Sequence, residues 1–336
     1  EAIVDLCIGG ETRGLRIGVG LLPLPPVADL ALDDAIRISV RGTEGILTGS
    51  NPRAVLLAAY RFLRELGCRF PRPGPEGELF PELPRPLPEV ELCEVPSYRH
   101  RGICIEGSNA VQNITDLIDW MPKAGLNAYF TQFRSPYGFL RKWYDHEGNP
   151  FREPEPFTPE DAEAAQRFYT AQLKKRGMLI HNVGHGWTCE PFGADLDRWQ
   201  RGVTQPETSY RLRMAQMNGE RKLFGWEPET VWPGDTNLCY SQPETREIMI
   251  RATVQYCREH PETDYLHFWL ADGMNNHCEC PDCSKMRPSD WYVILLNELD
   301  EALTAEKLPH RIVFLLYVDL LWAPEKTVLR HPERFV

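Results

Sequence analysis

Apolar runs alternate with longer amphipathic segments in the second part of the chain, from about residue 97 onward. The apolar runs are continuous rather than alternating, which is typical of strands covered on both faces of a parallel sheet. The amphipathic segments repeat with the period of a helix. This pattern predicts strands at residues 101–107, 127–133, 178–186, 236–241, 265–272 and 311–319, and helices at 114–125, 159–177, 243–261 and 289–307.

A repeated strand-then-helix order favours an α/β fold. Six such strands in one series predict a (β/α)8 TIM-barrel-like domain, with an open six-stranded sheet as the alternative. The chain ends at Val336, before a seventh and an eighth strand. We therefore expect the barrel to be incomplete here and the full-length protein to contain further strands or a C-terminal domain.

The pattern before residue 93 predicts a separate, small α+β domain at residues 1–92. Short β-like runs at 2–10, 15–21, 34–40 and 45–50 are separated by Gly and Pro. A helix is predicted at 52–67, because Pro52 suits its first turn and Gly67 its end. The segment from Pro71 to Pro96 is rich in proline, which excludes a helix or a central strand and predicts a linker before a second domain at 97–336.

Composition narrows the classes of partner. Hydrophobic residues make up 42% of the chain, which is enough for a sizeable core. The formal charge of -11 argues against a nucleic-acid or anionic-membrane partner, because phosphate binding needs a concentrated basic surface. The sequence contains no run long enough for a membrane span and no secretory signal pattern, so we expect a cytoplasmic location, although the chain begins at Glu1 rather than Met.

Polar side chains follow the carboxyl ends of the predicted strands, and in a parallel barrel these positions converge on one pocket. Three acids are candidate catalytic residues: Asp272, Glu106 and Asp319. Burial at the end of a very apolar strand favours Asp272 as a general acid, and the alternative is a turn-capping Asp before Gly. Asp235 is interpreted as a loop or capping residue.

Amide, guanidinium, imidazole and indole groups at the same strand ends are typical of a carbohydrate site, where they bind hydroxyl groups and stack on sugar rings. His181 has a core position as its alternative interpretation. The candidate substrate-binding residues are Gln132, Arg134, His181, His185, Trp187, Asn275, Asn276 and Trp322.

Three thiols at short spacing, those of Cys278, Cys280 and Cys283, form the sharpest spacing signal in the chain. Closely spaced cysteines are the usual form of a structural zinc site, which needs four ligands. Cys239 is the candidate fourth ligand, because it ends the predicted fourth strand beside the fifth, and His277 is the alternative. Reduced cysteines, a reversible disulfide and an iron-sulfur cluster are the other interpretations, and no organic cofactor is indicated.

Several segments after residue 95 resemble the domain of unknown function 4838 family, part of which is classed as glycoside hydrolase family 163. Residues 1–92 are similar to the small α/β domain that precedes the barrel in α-glucuronidases and β-hexosaminidases. The segments that carry the first resemblance are YRHRGICIEG, IDWMPKAGLNAYFTQF, RGMLIHNVGHGWTCEPFG, TNLCYSQPE, WLADGMNNHCECPDCSKMRPSDWYVILLNELD and VFLLYVDLLWAPE.

The resemblance implies a glycosidase barrel, with endo-β-N-acetylglucosaminidase activity on N-glycans in the characterised branch. Related N-acetylhexosaminidases often have adjacent carboxylates at a strand end, whereas Asp272 is followed here by Gly-Met-Asn-Asn. The resulting hypothesis is a retaining glycoside hydrolase that uses carboxylate acid/base catalysis on glycans. The alternatives are a non-catalytic carbohydrate-binding barrel and a metal-dependent hydrolase.

Overall fold

A computed structural model describes residues 2–8, 11–82, 86, 88–105, 109–146, 148–194, 196, 208–225 and 231–336. The chain divides into two compact units. The first contains Glu1–Tyr129, Lys142–Pro156 and Ala164–Leu179, and the second contains Phe130–Arg141, Phe157–Glu163 and Ile180–Val336. The division into domains at 1–92 and 97–336 stays a prediction. Among the helices of the described residues, none is long and apolar enough to cross a membrane.

The N-terminal part of the first unit is a five-stranded sheet in the order β1-β2-β4-β3-β5. Strands β2 and β4 are parallel, and the other neighbouring pairs are antiparallel. Strand β5 lies within the proline-rich segment, although the strand itself contains no proline. It occupies an edge of the sheet, in agreement with the expectation that this segment forms no central strand. The elements are β1 (Ala2–Ile8), β2 (Glu11–Val19), β3 (Ile36–Arg41), β4 (Glu44–Gly49), α1 (Pro52–Glu65) and β5 (Val90–Glu94).

Helix α1 forms as predicted because its first turn is capped. The Asn51 side chain accepts a hydrogen bond from the Ala54 backbone N–H at 2.8 Å, and Pro52 occupies the first helical position. The apolar face of the helix packs on the sheet. This core contains Leu15, Ile36, Ile38, Val40, Leu47, Ala54, Leu57, Ala58, Phe62 and Val90.

The remaining elements alternate between strand and helix. Their larger sheet has five strands in the order β12-β11-β8-β7-β6, and β11 pairs in parallel with both β8 and β12. The elements are β6 (Gly102–Ile105), α2 (Val111–Ala124), β7 (Ala128–Thr131), α3 (Tyr137–Tyr144), α4 (Pro159–Lys175), β8 (Leu179–Gly184), α5 (Thr208–Arg211), β9 (Gln216–Met217), β10 (Glu220–Arg221), α6 (Pro243–Glu259), β11 (Tyr265–Phe268), α7 (Pro288–Ala305) and β12 (Arg311–Val313). The expectation of a mixed α/β fold with a parallel sheet is confirmed, and closure into an eight-stranded barrel stays a prediction.

The predicted fourth strand, residues 236–241, is wrong. This segment runs beside residues 213–215 instead, with an antiparallel bridge between Met214 and Leu238. The Ala215 N–H donates to the Asn237 carbonyl at 2.8 Å, and the Cys239 N–H donates to the Arg213 carbonyl at 2.7 Å. These bonds satisfy the backbone of the segment locally, and β8 pairs directly with β11.

The core of the second unit lies between its strands and helices α6 and α7. Tyr265, Leu266 and Phe268 of β11 are almost fully buried, and Leu295, Leu296 and Leu299 of α7 pack in the same core. The predicted sixth strand ends early, since β12 stops at Val313, and residues 318–321 form a 3-10 turn. The residues that follow β11 and β12 therefore form loops rather than longer strands.

Candidate active site

The loop that follows β11 carries Asp272 and runs beside a short 3-10 turn, Pro233–Asp235. The backbone N–H of Asp272 donates to the Gly234 carbonyl at 3.0 Å. Trp232, Gly234 and Asp235 form part of one compact turn, in which the Asp235 N–H donates to the Trp232 carbonyl at 3.1 Å. These bonds bring Asp235 close to Asp272, although the two acids are distant in the chain.

The two carboxylates have different environments. Asp235 is half-buried, and its burial together with the nearby negative charge of Asp272 raises its pKa from 3.8 to about 6. A carboxyl group with a pKa near 6 retains its proton in mildly acidic solution and can donate it. Asp235 was interpreted from the sequence as a loop residue. Nothing in its local sequence indicates its neighbour, because Asp272 reaches it only through the folded loop.

Tyr317 adds a third polar group to this pair. The negative charge of Asp272 raises the pKa of its phenol, which shows that the Tyr317 side chain lies near that carboxylate. The residue was predicted inside the sixth strand. Because β12 ends at Val313, Tyr317 instead lies in the loop before the 3-10 turn Val318–Leu321, where it reaches Asp272.

Asn276 connects the backbones that carry both acids. Its side chain is buried, and its amide Nδ2 donates to the Asp235 carbonyl at 2.7 Å and to the Asp272 carbonyl at 2.5 Å. Its Oδ1 accepts a hydrogen bond from Asn237 Nδ2 at 2.8 Å. Asn276 was expected to contact a sugar. The structure gives it a positioning role, because its amide is already engaged by the protein.

His185 lies near Asp272 and contacts Trp269, and both rings carry buried polar atoms without a hydrogen bond among the described residues. Burial lowers the pKa of His185, and the charge of Asp272 opposes that shift only partly. The two rings are 5.1 Å apart. The buried Nδ1 of His185 and the buried Nε1 of Trp269 have no hydrogen-bond partner among the described residues. These two unsatisfied groups make the surroundings of His185 a candidate part of the site, and Trp269 is a residue that sequence reasoning missed.

Gly184 permits this arrangement. Its φ angle is +127°, and a Cβ atom at this position would lie 3.0 Å from the Gln132 carbonyl and 3.1 Å from the Trp269 ring. A larger residue would therefore be strained and would displace the indole. Gln132, a predicted substrate-binding residue, is itself buried close to the end of β7.

Two other predicted sugar contacts lie in or against the core. Trp187 is 0% exposed and donates through Nε1 to the His267 carbonyl at 2.9 Å, so its ring does not present a face to solvent. His181 stacks on Tyr265 at 4.6 Å, and its Nδ1 lies 2.9 Å from His267 Nε2. The enclosed Trp187 ring argues against the expected sugar contact for that residue, whereas the contact expected for His181 stays a prediction.

Arg134 is engaged within the protein as well. Its guanidinium pairs with Glu190 at 3.1 Å and lies 5.6 Å from the Trp187 ring centroid. Its side chain keeps 31% exposure, so one part of the guanidinium is accessible. The structure therefore does not place Arg134 with the two acids.

The remaining predicted residues meet in a separate cleft of about 400 Å³. Asp319 accepts a hydrogen bond from the Asn275 N–H at 2.6 Å and lies 3.9 Å from His277 Nε2. Burial lowers the pKa of His277 to about 4 despite Asp319. Trp322, Trp291 and Asn275 also line this cleft. Asp319 thus belongs to the cleft rather than to the acid pair, and Glu106 lies outside the described residues.

The four predicted metal ligands converge. The sulfur atoms of Cys239, Cys278, Cys280 and Cys283 all lie within 4.8 Å of one another. Cys239 Sγ is 3.6 Å from Cys280 Sγ and 3.8 Å from Cys283 Sγ. His277, the alternative ligand, is not part of this group. Cys239 arrives there from the segment that pairs with residues 213–215, not from a strand beside β11.

No model of a known protein family matches the chain, and no curated protein matches it. Solved structures do match. A β-N-acetylhexosaminidase from Bacteroides fragilis is 15% identical, with a TM-score of 0.51 over 96% of this chain and 58% of that chain. The chain thus spans less than two thirds of that enzyme. At this identity the likeness shows a shared fold alone.

Two further solved structures are more distant. A glycoside hydrolase family 20 β-N-acetylglucosaminidase is 12% identical, with a TM-score of 0.47 over 89% of this chain and 56% of that chain. A family 20 exo-β-N-acetylglucosaminidase from Vibrio harveyi, solved with N-acetylglucosamine, is 14% identical, with a TM-score of 0.44 over 83% of this chain and 43% of that chain.

Proposed function

We propose that the protein is a glycoside hydrolase whose acid pair is Asp235 and Asp272. The observation that carries this proposal is the pair itself, held side by side by the Asp272–Gly234 backbone bond and by the Asn276 amide. Glycoside hydrolysis commonly requires two carboxyl groups in different protonation states. Burial and the neighbouring charge of Asp272 raise the pKa of Asp235 to about 6, so Asp235 can serve as the acid of such a pair.

Each acid has a distinct role in this proposal. Asp235 keeps its proton near pH 6 and donates it to the glycosidic oxygen as the bond to the leaving group breaks. The Asp272 carboxylate stabilises the positive charge that develops at the anomeric carbon. In this proposal the Tyr317 hydroxyl, which lies near Asp272, donates a hydrogen bond to that carboxylate during the reaction. This assignment replaces Glu106 and Asp319 as partners of Asp272.

The proposed substrate is a glycan that contains N-acetylhexosamine. His185 Nδ1 and Trp269 Nε1 are the buried polar atoms that a sugar hydroxyl or acetamido group would engage. The name of the Bacteroides fragilis enzyme, whose fold this chain shares, supports the same sugar class. The resemblance to the domain of unknown function 4838 family supports it too, and we propose membership of that family.

Hydrolysis of a panel of aryl glycosides and N-glycans tests the activity, and the aryl N-acetyl-β-D-glucosaminide is the substrate expected to react. Asp272→Asn should lower kcat by about 10²- to 10⁴-fold, because it removes the charge beside the reaction centre while preserving the side-chain shape. Asp282→Asn is the matched control: this acid lies on the same loop, and its side chain is 70% exposed.

The outcomes separate the competing functions. Equal turnover by Asp272→Asn and Asp282→Asn would remove Asp272 from the reaction. Glycan binding by calorimetry without any released product would instead favour a non-catalytic carbohydrate-binding protein.

A further inference from the structure

The cysteine cluster has the dimensions of a metal-thiolate site. Zinc with four thiolate ligands is tetrahedral, with Zn–S bonds of about 2.3 Å, and that geometry separates the sulfur atoms by about 3.8 Å. The observed separations of 3.6 Å and 3.8 Å from Cys239 Sγ agree with it. A disulfide needs an S–S distance of about 2.05 Å and would engage only two of the four sulfurs.

A hairpin next to the cluster directs hydrogen-bond donors at the sulfurs. Strands β9 and β10 are joined by Asn218 and Gly219, whose φ angles of 51° and 81° form the tight turn that Asn-Gly favours. This turn directs the Gln216 N–H at Cys278 Sγ, 3.3 Å away, and the Arg221 guanidinium at Cys239 Sγ, 3.5 Å away. N–H donors and a cation stabilise thiolates, as around other metal-bound sulfurs.

We propose that Cys239, Cys278, Cys280 and Cys283 bind one structural zinc ion. Four sulfur ligands complete the tetrahedral coordination, so no position stays open for water or substrate, and the ion has no part in the chemical step. Thiolate ligands in this geometry select zinc or iron over magnesium, calcium or manganese. The proposal is independent of the proposed hydrolase activity, because it rests on the sulfur geometry alone.

The zinc ion joins two segments that are distant in the chain. Cys239 follows the turn that carries Asp235, and Cys278 follows the loop that carries Asp272. Trp291 of α7 secures the far side of the cluster by donating from Nε1 to the Cys283 carbonyl at 3.0 Å. The ion therefore cross-links both segments beyond the acid pair, and its removal should loosen them.

Metal analysis of the reduced, purified protein tests the proposal. We expect about one zinc per chain, and we expect cobalt(II) that replaces it to show the intense visible bands and thiolate charge transfer of a tetrahedral sulfur site. Cys280→Ser should lose most of the bound zinc. Cys93→Ser is the control, because Cys93 is an exposed thiol outside the cluster and its loss should leave the zinc content unchanged.

If Cys280→Ser fails to fold, the zinc content and thiol reactivity of the wild-type protein still test the proposed zinc site. Less than about 0.1 zinc per chain after incubation with zinc, together with rapid alkylation of the four clustered thiols, would overturn the proposal. One iron per chain in place of zinc would overturn the assignment to zinc. Protection of the four thiols that is lost on chelation, with a lower Tm, supports it.

Discussion

Asp34 in the first unit and Asp235 in the second are both withdrawn from water, yet their neighbours have opposite charge. The Asp34 side chain is 0% exposed and accepts hydrogen bonds from Arg53 Nε at 2.9 Å, Arg101 Nη2 at 2.7 Å and Asn127 Nδ2 at 2.7 Å. Burial acts to raise its pKa, but the two guanidinium groups hold the pKa below the ordinary value. Asp235 faces Asp272 instead, and its pKa rises to about 6.

The comparison shows that burial alone does not decide what a buried acid does. An acid between two cations is permanently ionised and holds the fold together. An acid beside another acid keeps a proton close to neutral pH and costs stability when it loses that proton. Acids with a raised pKa beside another acid occur mainly at functional sites, so Asp235 is a better functional candidate than Asp34.

The largest expected effect on stability comes from removing the charge of Asp34 between its two arginines. Asp34→Asn should lower the free energy of unfolding by about 3–5 kcal/mol, because it leaves Arg53 and Arg101 without a buried counter-charge. Urea unfolding measures the change. Glu91→Gln is the control: its ion pair with Arg37, at 3.4 Å, is exposed to solvent and should contribute little to stability. Equal effects of the two variants would contradict the structural role of Asp34.

The stability contribution of Asp235 should depend on pH in the opposite sense to that of Asp34. The folded pKa of Asp235 lies above its ordinary value of 3.8, so its contribution to stability is fully present below about pH 3.8 and is lost as the pH rises through about 6. Asp235→Asn should therefore match wild type near pH 4 and exceed its free energy of unfolding by about 2 kcal/mol above pH 7, a value discounted because the group is only half-buried.

Unfolding measured at several pH values checks this expectation. Asp34 provides the contrast, since its folded pKa lies below the ordinary value and its contribution is lost as the pH falls through that lower pKa. A stability difference between Asp235→Asn and wild type that does not change from pH 4 to pH 8 would show that Asp235 titrates normally.

The smallest expected effect is on kcat/KM when the hydroxyl of Tyr317 is removed. Tyr317→Phe removes the hydroxyl that lies near Asp272 and should lower kcat/KM by up to about 10-fold, since an ordinary hydrogen bond contributes about 0.5–1.5 kcal/mol. The free energy of unfolding should change little. Tyr98→Phe, at an exposed tyrosine, is the control. An unchanged kcat/KM and pH profile would exclude Tyr317 from the site.

Local patterns in the sequence were sufficient for most helices and for the parallel strands. The spacing of Cys278, Cys280 and Cys283 also predicted a cluster, and Cys239 was identified as its fourth member although the predicted strand beneath it does not exist. These predictions worked because periodicity and short spacing act within one element or one loop. The burial of Trp187 was missed because it depends on how the chain folds back after β8.

The amino-acid order alone is enough to indicate an α/β chain with a thiol cluster after β11. Only the folded chain decides which acids meet, because the Asp272–Gly234 bond and the Asn276 amide bring together residues that share no local pattern. It also decides their protonation, since a pKa depends on burial and on neighbouring charge, and both come from tertiary contacts.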